Sequence, residues 1–115
     1  MTEYEKFKNE ERKPVIFVQT DGTITGINDA FVKTYRWPHD ELVGQPLIKI
    51  IPSGLQGGHN MGFSRFVLTG KSNLLGTPVD LEIQLGNGEK MLAQHLIVSL
   101  DNKGSQILAA IITPR

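Results

Sequence analysis

Asp21-Gly22-Thr23-Ile24-Thr25-Gly26-Ile27-Asn28-Asp29-Ala30-Phe31 is the stretch whose reading decides the fold, because a turn, a strand and a helix start follow one another within it. Asp21-Gly22 marks a turn, since glycine reaches the backbone angles a tight reversal needs. Thr23 through Ile27 resumes the β-branched pattern that Val15-Ile16-Phe17-Val18 carries before the turn, so the two runs read as a hairpin. Asn28 and Asp29 then offer side-chain oxygens that cap a short helix, with Phe31 and Tyr35 four apart on one face.

Upstream, residues 2–13 are dominated by Glu, Lys, Asn and Arg, with Tyr4 and Phe7 three apart. That pattern predicts a polar helical extension with a thin apolar stripe over residues 1–13, ended by Pro14. Downstream, Pro38 suits a first helical position, Asp40 and Glu41 its first turn, and Gly44 its stop. Residues 46–51 read as one more helical turn before Pro52, and Gly54, Gly57 and Gly58 as a loop free to move. His59, Phe63, Phe66 and Val67 then fall at i, i+4, i+7 and i+8, one face of a helix ending near Gly70.

The last third alternates with the period of strands. Val79, Leu81, Ile83 and Leu85 share one face, Asp80 and Glu82 the other. Gly86-Asn87-Gly88 reads as a hairpin turn, residues 91–100 as a long strand, Asp101-Asn102-Lys103-Gly104 as a second turn, and residues 107–113 as a final strand. Strands at both ends with helices between them imply an α+β fold. The expectation is one five-stranded antiparallel sheet, with several short helices gathered on one face.

The composition removes whole classes of function. With 115 residues the chain is the size of one domain, residues 14–115, and without cysteine it has neither thiol nucleophile nor thiolate metal site. Twelve basic and twelve acidic side chains cancel, which argues against general attraction to nucleic acid or anionic membrane. No apolar run approaches the about 20 residues of a membrane span. The first residues lack the basic-then-apolar order of a signal peptide, so the expected location is the cytoplasm.

Taken in order, Asp21-Gly22-Thr23-Ile24, Ile27-Asn28-Asp29-Ala30-Phe31, Tyr35-Arg36-Trp37, Glu41-Leu42-Val43-Gly44, Pro52 and later Asn87-Gly88 resemble the PAS domains, sensory modules of bacterial signalling proteins. The resemblance covers about residues 14–114 and implies a PAS fold, in which Asn28 closes a turn by side-chain hydrogen bonds to backbone. A narrower likeness runs through His59, Phe63, Ser64, Arg65, Phe66, Thr69, Leu74, Leu75 and Gly76, which are similar to the heme-binding oxygen-sensor subgroup. It implies heme as a cofactor, with iron on His59, a propionate on Arg65, and Phe63, Phe66 and Leu75 beside it. Asn73 stands where that subgroup has a second propionate partner, a histidine, and Val79 where it has the arginine that meets bound oxygen.

Each candidate also has a plainer structural reading. His59 suits an axial ligand in an apolar pocket, or a helix-capping histidine after a glycine-rich loop. Arg65 lies off the apolar stripe and suits a solvated charge. Tyr35, Trp37, Ile50 and Leu81 read as pocket lining or as core, and core packing is favoured for the two aromatics. His95 shares a face with Met91 and Ile97, either as a pocket polar group or as an exposed sheet residue. Gly70-Lys71-Ser72 lacks the glycine a phosphate loop requires, since Arg65 stands there. His39, His59 and His95 have no zinc-site spacing, no serine sits in a nucleophile elbow, and Asp80 with Glu82 reads as a solubility face. An enzyme is therefore not expected.

The expected protein is a sensory and interaction module that holds a small ligand or cofactor in an apolar pocket. Its output, a kinase, cyclase or regulator domain, would be attached or separate. An open apolar sheet face, with Tyr4 and Phe7 beside it, predicts a homodimer. Two alternatives stand beside this reading: a heme-based gas or redox sensor using His59, and a dimerisation domain with no ligand.

Overall fold

The computed structural model describes residues 2–52 and 76–115. In chain order the elements are α1 (Glu3–Lys8), β1 (Val15–Gln19), β2 (Ile24–Ile27), α2 (Asp29–Tyr35), α3 (His39–Leu42), a 3-10 turn (Leu47–Ile50), β3 (Val79–Gln84), β4 (Lys90–Asn102) and β5 (Ser105–Pro114). The five strands form one sheet in the order β2-β1-β5-β4-β3, with every neighbouring pair antiparallel. The expected α+β architecture is thus the observed one. The predicted loop at 54–58 and helix at 59–70 lie outside the described residues.

Register assigns each side chain to a face. Val18 pairs with Leu108, which pairs with Ser99; Ile16 with Ala110, which pairs with Ile97. Ile112 pairs with His95, which pairs with Val79, so these rows run along one face, here called inner. Ile24 and Ile27 are three apart, and strict alternation would set them on opposite faces. A β-bulge between β1 and β2 absorbs Thr25 and lets both point inward, where both are buried.

α2 supplies the inner core. The Asn28 side-chain oxygen accepts from the Phe31 amide at 3.0 Å and so caps the helix. Phe31 and Tyr35 stack in a tilted pair with ring centroids 4.9 Å apart, both fully buried against Ile16, Ile24, Leu42 and Ile112. The Asp101-to-Gly104 turn is tighter than its composition suggests. β4 continues to Asn102, and only Lys103 and Gly104 reverse the chain, both with positive φ (53° and 86°), as a two-residue hairpin requires.

α1 is shorter than the polar stretch that predicts it, ending at Lys8 with Asn9 as its cap. Residues 10–13 leave the helix because their polar groups are taken up otherwise. The Glu10 carboxylate accepts from the Arg12 and Lys13 amides at 2.8 and 3.2 Å, which holds its pKa below the ordinary carboxylate value. The Asn28 amide donates to the Glu10 and Lys13 carbonyls at 3.0 and 2.8 Å. α1 is thereby carried to the outer face, against β4, with the Tyr4 ring tilted over Phe17 at 5.6 Å. The sheet face expected to lie open is therefore partly covered by the chain itself. On the outer face Val15, Ala109 and Leu100 are buried apart from the inner core.

Candidate functional site

The inner face contains two kinds of surface. Toward β1, β2 and the end of β3 at Ile83 and Leu85 it is closed by α2 and the segment after it. Tyr35 donates its hydroxyl to the Ile112 carbonyl at 2.5 Å, and Trp37 donates Nε1 to the Gln84 carbonyl at 2.8 Å. These bonds satisfy the only polar atoms the two aromatics bring into the core, so large apolar area is buried without an orphaned donor. Burial drives the Tyr35 hydroxyl pKa far above its ordinary value, so it acts as a donor and not as an acid. Lys49 sits 5.6 Å from the Trp37 ring centroid and donates to the Glu41 carbonyl at 3.0 Å, a cation over an aromatic face at the surface.

Gly86 holds this corner in place. Its amide donates to the Tyr35 carbonyl at 3.0 Å, and a Cβ built there would overlap the Arg36 carbonyl oxygen. Arg36 turns the chain out of α2 with a left-handed backbone at φ 61°. Sequence reading takes Gly86 as part of a turn, and the turn is real: the Gly88 amide donates to the Leu85 carbonyl and the Leu85 amide to that of Glu89. The close approach to a segment fifty residues earlier carries no local signal.

Toward β3 and β4 the inner face is less closed. His95 lies between Val79 and Ile112 across the strands and between Ala93 and Ile97 along its own, with Ala93 and Ile112 buried and the other three, His95 included, half-buried or nearly so. The structure therefore resolves the choice that sequence left open: His95 faces inward, among aliphatic side chains. Its Nδ1 lies 3.1 Å from the Ala93 carbonyl, which assigns the proton to Nδ1 and leaves Nε2 as an acceptor. Burial lowers the His95 pKa, opposed in part by that bond and by the charge of Asp80. Asp80 is on the outer face of β3, paired with the Arg115 guanidinium at 3.3 Å.

The other sequence candidates divide cleanly. Tyr35, Trp37 and Ile50 are core. Leu81 departs from that reading: it faces inward opposite Ala93 on the outermost described strand yet is 38% exposed, whereas Ile83 two residues on, on the same face, is buried in the core. His59, Phe63, Arg65, Phe66 and Leu75 lie outside the described residues. Asn28 proves to be a hub, with its oxygen also accepting from the Val15 amide at 3.0 Å. All of its side-chain bonds go to backbone, as expected of a turn former. Tyr4 and Phe7 are half-buried on the outer face. Among the described residues no group of three acidic or imidazole side chains converges as a metal site would require, and no helix is long and apolar enough to cross a membrane.

No protein-family model matches the chain, and no curated protein matches its sequence. Solved structures do. The PAS domain of a Desulfitobacterium hafniense protein aligns with a TM-score of 0.76 at 17% identity, covering 96% of this chain and 99% of that one. A domain of a sensory box sensor histidine kinase/response regulator from Geobacter sulfurreducens aligns at 0.66 and 14% identity, over 94% and 89% of the two chains. A light-oxygen-voltage domain studied with a flavin analogue aligns at 0.69 and 13% identity, over 90% and 78%. With the strand order, the Asn28-capped α2 and the aromatic corner at Tyr35-Arg36-Trp37 all in place, the fold of this chain is the PAS fold.

Proposed function

We propose that the chain is a PAS-type sensory module of a signal-transduction protein, without catalytic activity, which binds a small ligand or cofactor over the β3 and β4 half of the inner face. The observation that carries this reading is the contrast within that face. One part, reaching to Ile83 and Leu85, is packed shut by anchored aromatics, while the part around Val79 and Leu81 keeps a half-buried imidazole among aliphatic walls beside an exposed Leu81. The likeness to domains from sensor kinases supports a signalling role, and the likeness to a flavin-associated domain supports the capacity of such a sheet to hold a cofactor.

Signal leaves through the outer face, by self-association or by contact with a kinase, cyclase or regulator partner. A ligand biases that contact only by its different affinity for the two conformations. A homodimer through Tyr4 and Phe7 is the simplest form. Phe7→Glu then yields a monomer by light scattering, and an unchanged mass removes α1 from the interface.

The test of the ligand reading is an absorption spectrum of protein expressed with heme precursor and iron, beside a native mass. A Soret band that scales with protein and disappears in His59→Ala makes the occupant heme, and flavin bands make it flavin. A colourless protein whose native mass equals the bare chain, and which stays so after incubation with extract, opposes a tightly held ligand and favours a plain dimerisation domain.

A further inference from the structure

The position of His95 points to the chemistry of what the inner face would bind. Four aliphatic neighbours surround it: Val79 on β3, Ile112 on β5, and Ala93 and Ile97 on its own strand. A leucine or valine there would suit the sheet and the core better, because an imidazole brings two nitrogens that must be satisfied or left to water. One is satisfied internally, Nδ1 on the Ala93 carbonyl at 3.1 Å. Among the described residues no partner faces Nε2.

We infer that His95 is a ligand-binding residue whose Nε2 accepts a hydrogen bond from a neutral O–H or N–H donor on an otherwise apolar small molecule. The inference rests on the proposed ligand site and narrows its occupant. The Nδ1 bond fixes the tautomer, so the acceptor is pre-set and no proton need move on binding. The aliphatic row gives contact area but no charge. Asp80, whose charge reaches His95, is on the opposite face and engaged with Arg115. A cation would therefore meet only a counter-charge from the far face that Arg115 already pairs, and a carboxylate would meet a lone pair. A hydroxyl or amide N–H meets its complement.

Phenol and toluene are a matched pair of probes, equal in heavy atoms and differing in one donor. Binding is read on the isotope-labelled protein from the methyl signals of Val79 and Ile97 and from the ring nitrogens of His95. In a purely apolar site toluene is favoured, since phenol must desolvate its hydroxyl. With His95 as acceptor, the preference for phenol over toluene falls by about tenfold in His95→Leu, the equivalent of one net hydrogen bond. The Nε2 signal, and not that of Nδ1, moves with phenol. His95→Gln, which keeps an acceptor, retains part of the preference, and it carries the test if the leucine variant fails to fold.

A phenol-to-toluene ratio unchanged in both variants, with both probes still bound, overturns the role of His95 and leaves the ligand site standing. No methyl response to either probe up to its solubility overturns the ligand site itself, and the role of His95 with it.

Discussion

Most of the inner face of the sheet is closed by side chains that are themselves tied down, Tyr35 to Ile112, Trp37 to Gln84, and the chain between them to Gly86. The outer face is covered by α1, six residues with none buried, resting on Phe17 through Tyr4. The two covers lie over one sheet but follow from different physics. The inner one buries large aromatic area and satisfies every polar atom it brings, so it opens only with the fold. The outer one has a helix too short to be stable alone, held by its connection at residues 10–13 more than by its own contacts. The proposed sensory role would use both: a core that does not yield, and a surface element held by few contacts of its own.

The strongest test of that contrast is Gly86→Ala. The added methyl collides with the Arg36 backbone, which has no flexible end to give way, and the expected loss is about 3 kcal/mol or more. A denaturant midpoint within error of the parent protein would show that the inner corner is not rigid. Asn28→Ala comes next. It removes a helix cap and the clasp on residues 10–13 together, for about 2 kcal/mol, and faster amide exchange should appear in α1 as well as in α2. Exchange confined to α2 would mean that the outer cover does not depend on the clasp.

Tyr35→Phe isolates one polar tie. It leaves the Ile112 carbonyl without its hydroxyl partner inside the core and should lower stability by about 1 to 2 kcal/mol, without change in the unfolding slope. Tyr4→Ala is expected to lower it by less than about 1 kcal/mol, since the ring it leaves is only half-buried. A larger loss than for Tyr35→Phe would reverse the comparison of the two faces.

The smallest effect is a dependence on pH. His95 has a folded-state pKa below its unfolded one, so over the window between them the unfolded chain binds more protons. Stability is then full above the unfolded value near 6.5, declines as pH falls through it, and levels off below the folded value. Comparison of His95→Gln with the parent protein across that window by thermal unfolding should flatten the decline. Equal slopes would place His95 in contact with solvent rather than with its aliphatic row.

Much of this was readable without the fold. The Asn28 cap, the Phe31 and Tyr35 pair, both long hairpins and the inward face of β3 follow from local rules, since caps, turns and alternation act within a few residues. Ile24 and Ile27 were not readable as a pair, because the bulge that turns both inward is a property of pairing with β1. Nor was the exposure of Leu81, which shares its alternation, its strand and its face with the buried Ile83. His95 remained undecided for a related reason. Strand period assigns it to the face of Met91 and Ile97, but only pairing with Ile112 shows which face that is.

By itself, then, the sequence determined the kinds and order of the described elements, the cap that begins α2 and the turns that join the last strands, and the exclusion of thiol chemistry, because each depends on groups close along the chain. Tertiary structure alone decided that Gly86 must lack a side chain, that α1 lies over the sheet face opposite α2, and that His95 looks inward with one nitrogen to spare. Those facts join residues tens of positions apart, and they are set by strand register and close packing, which no local pattern encodes.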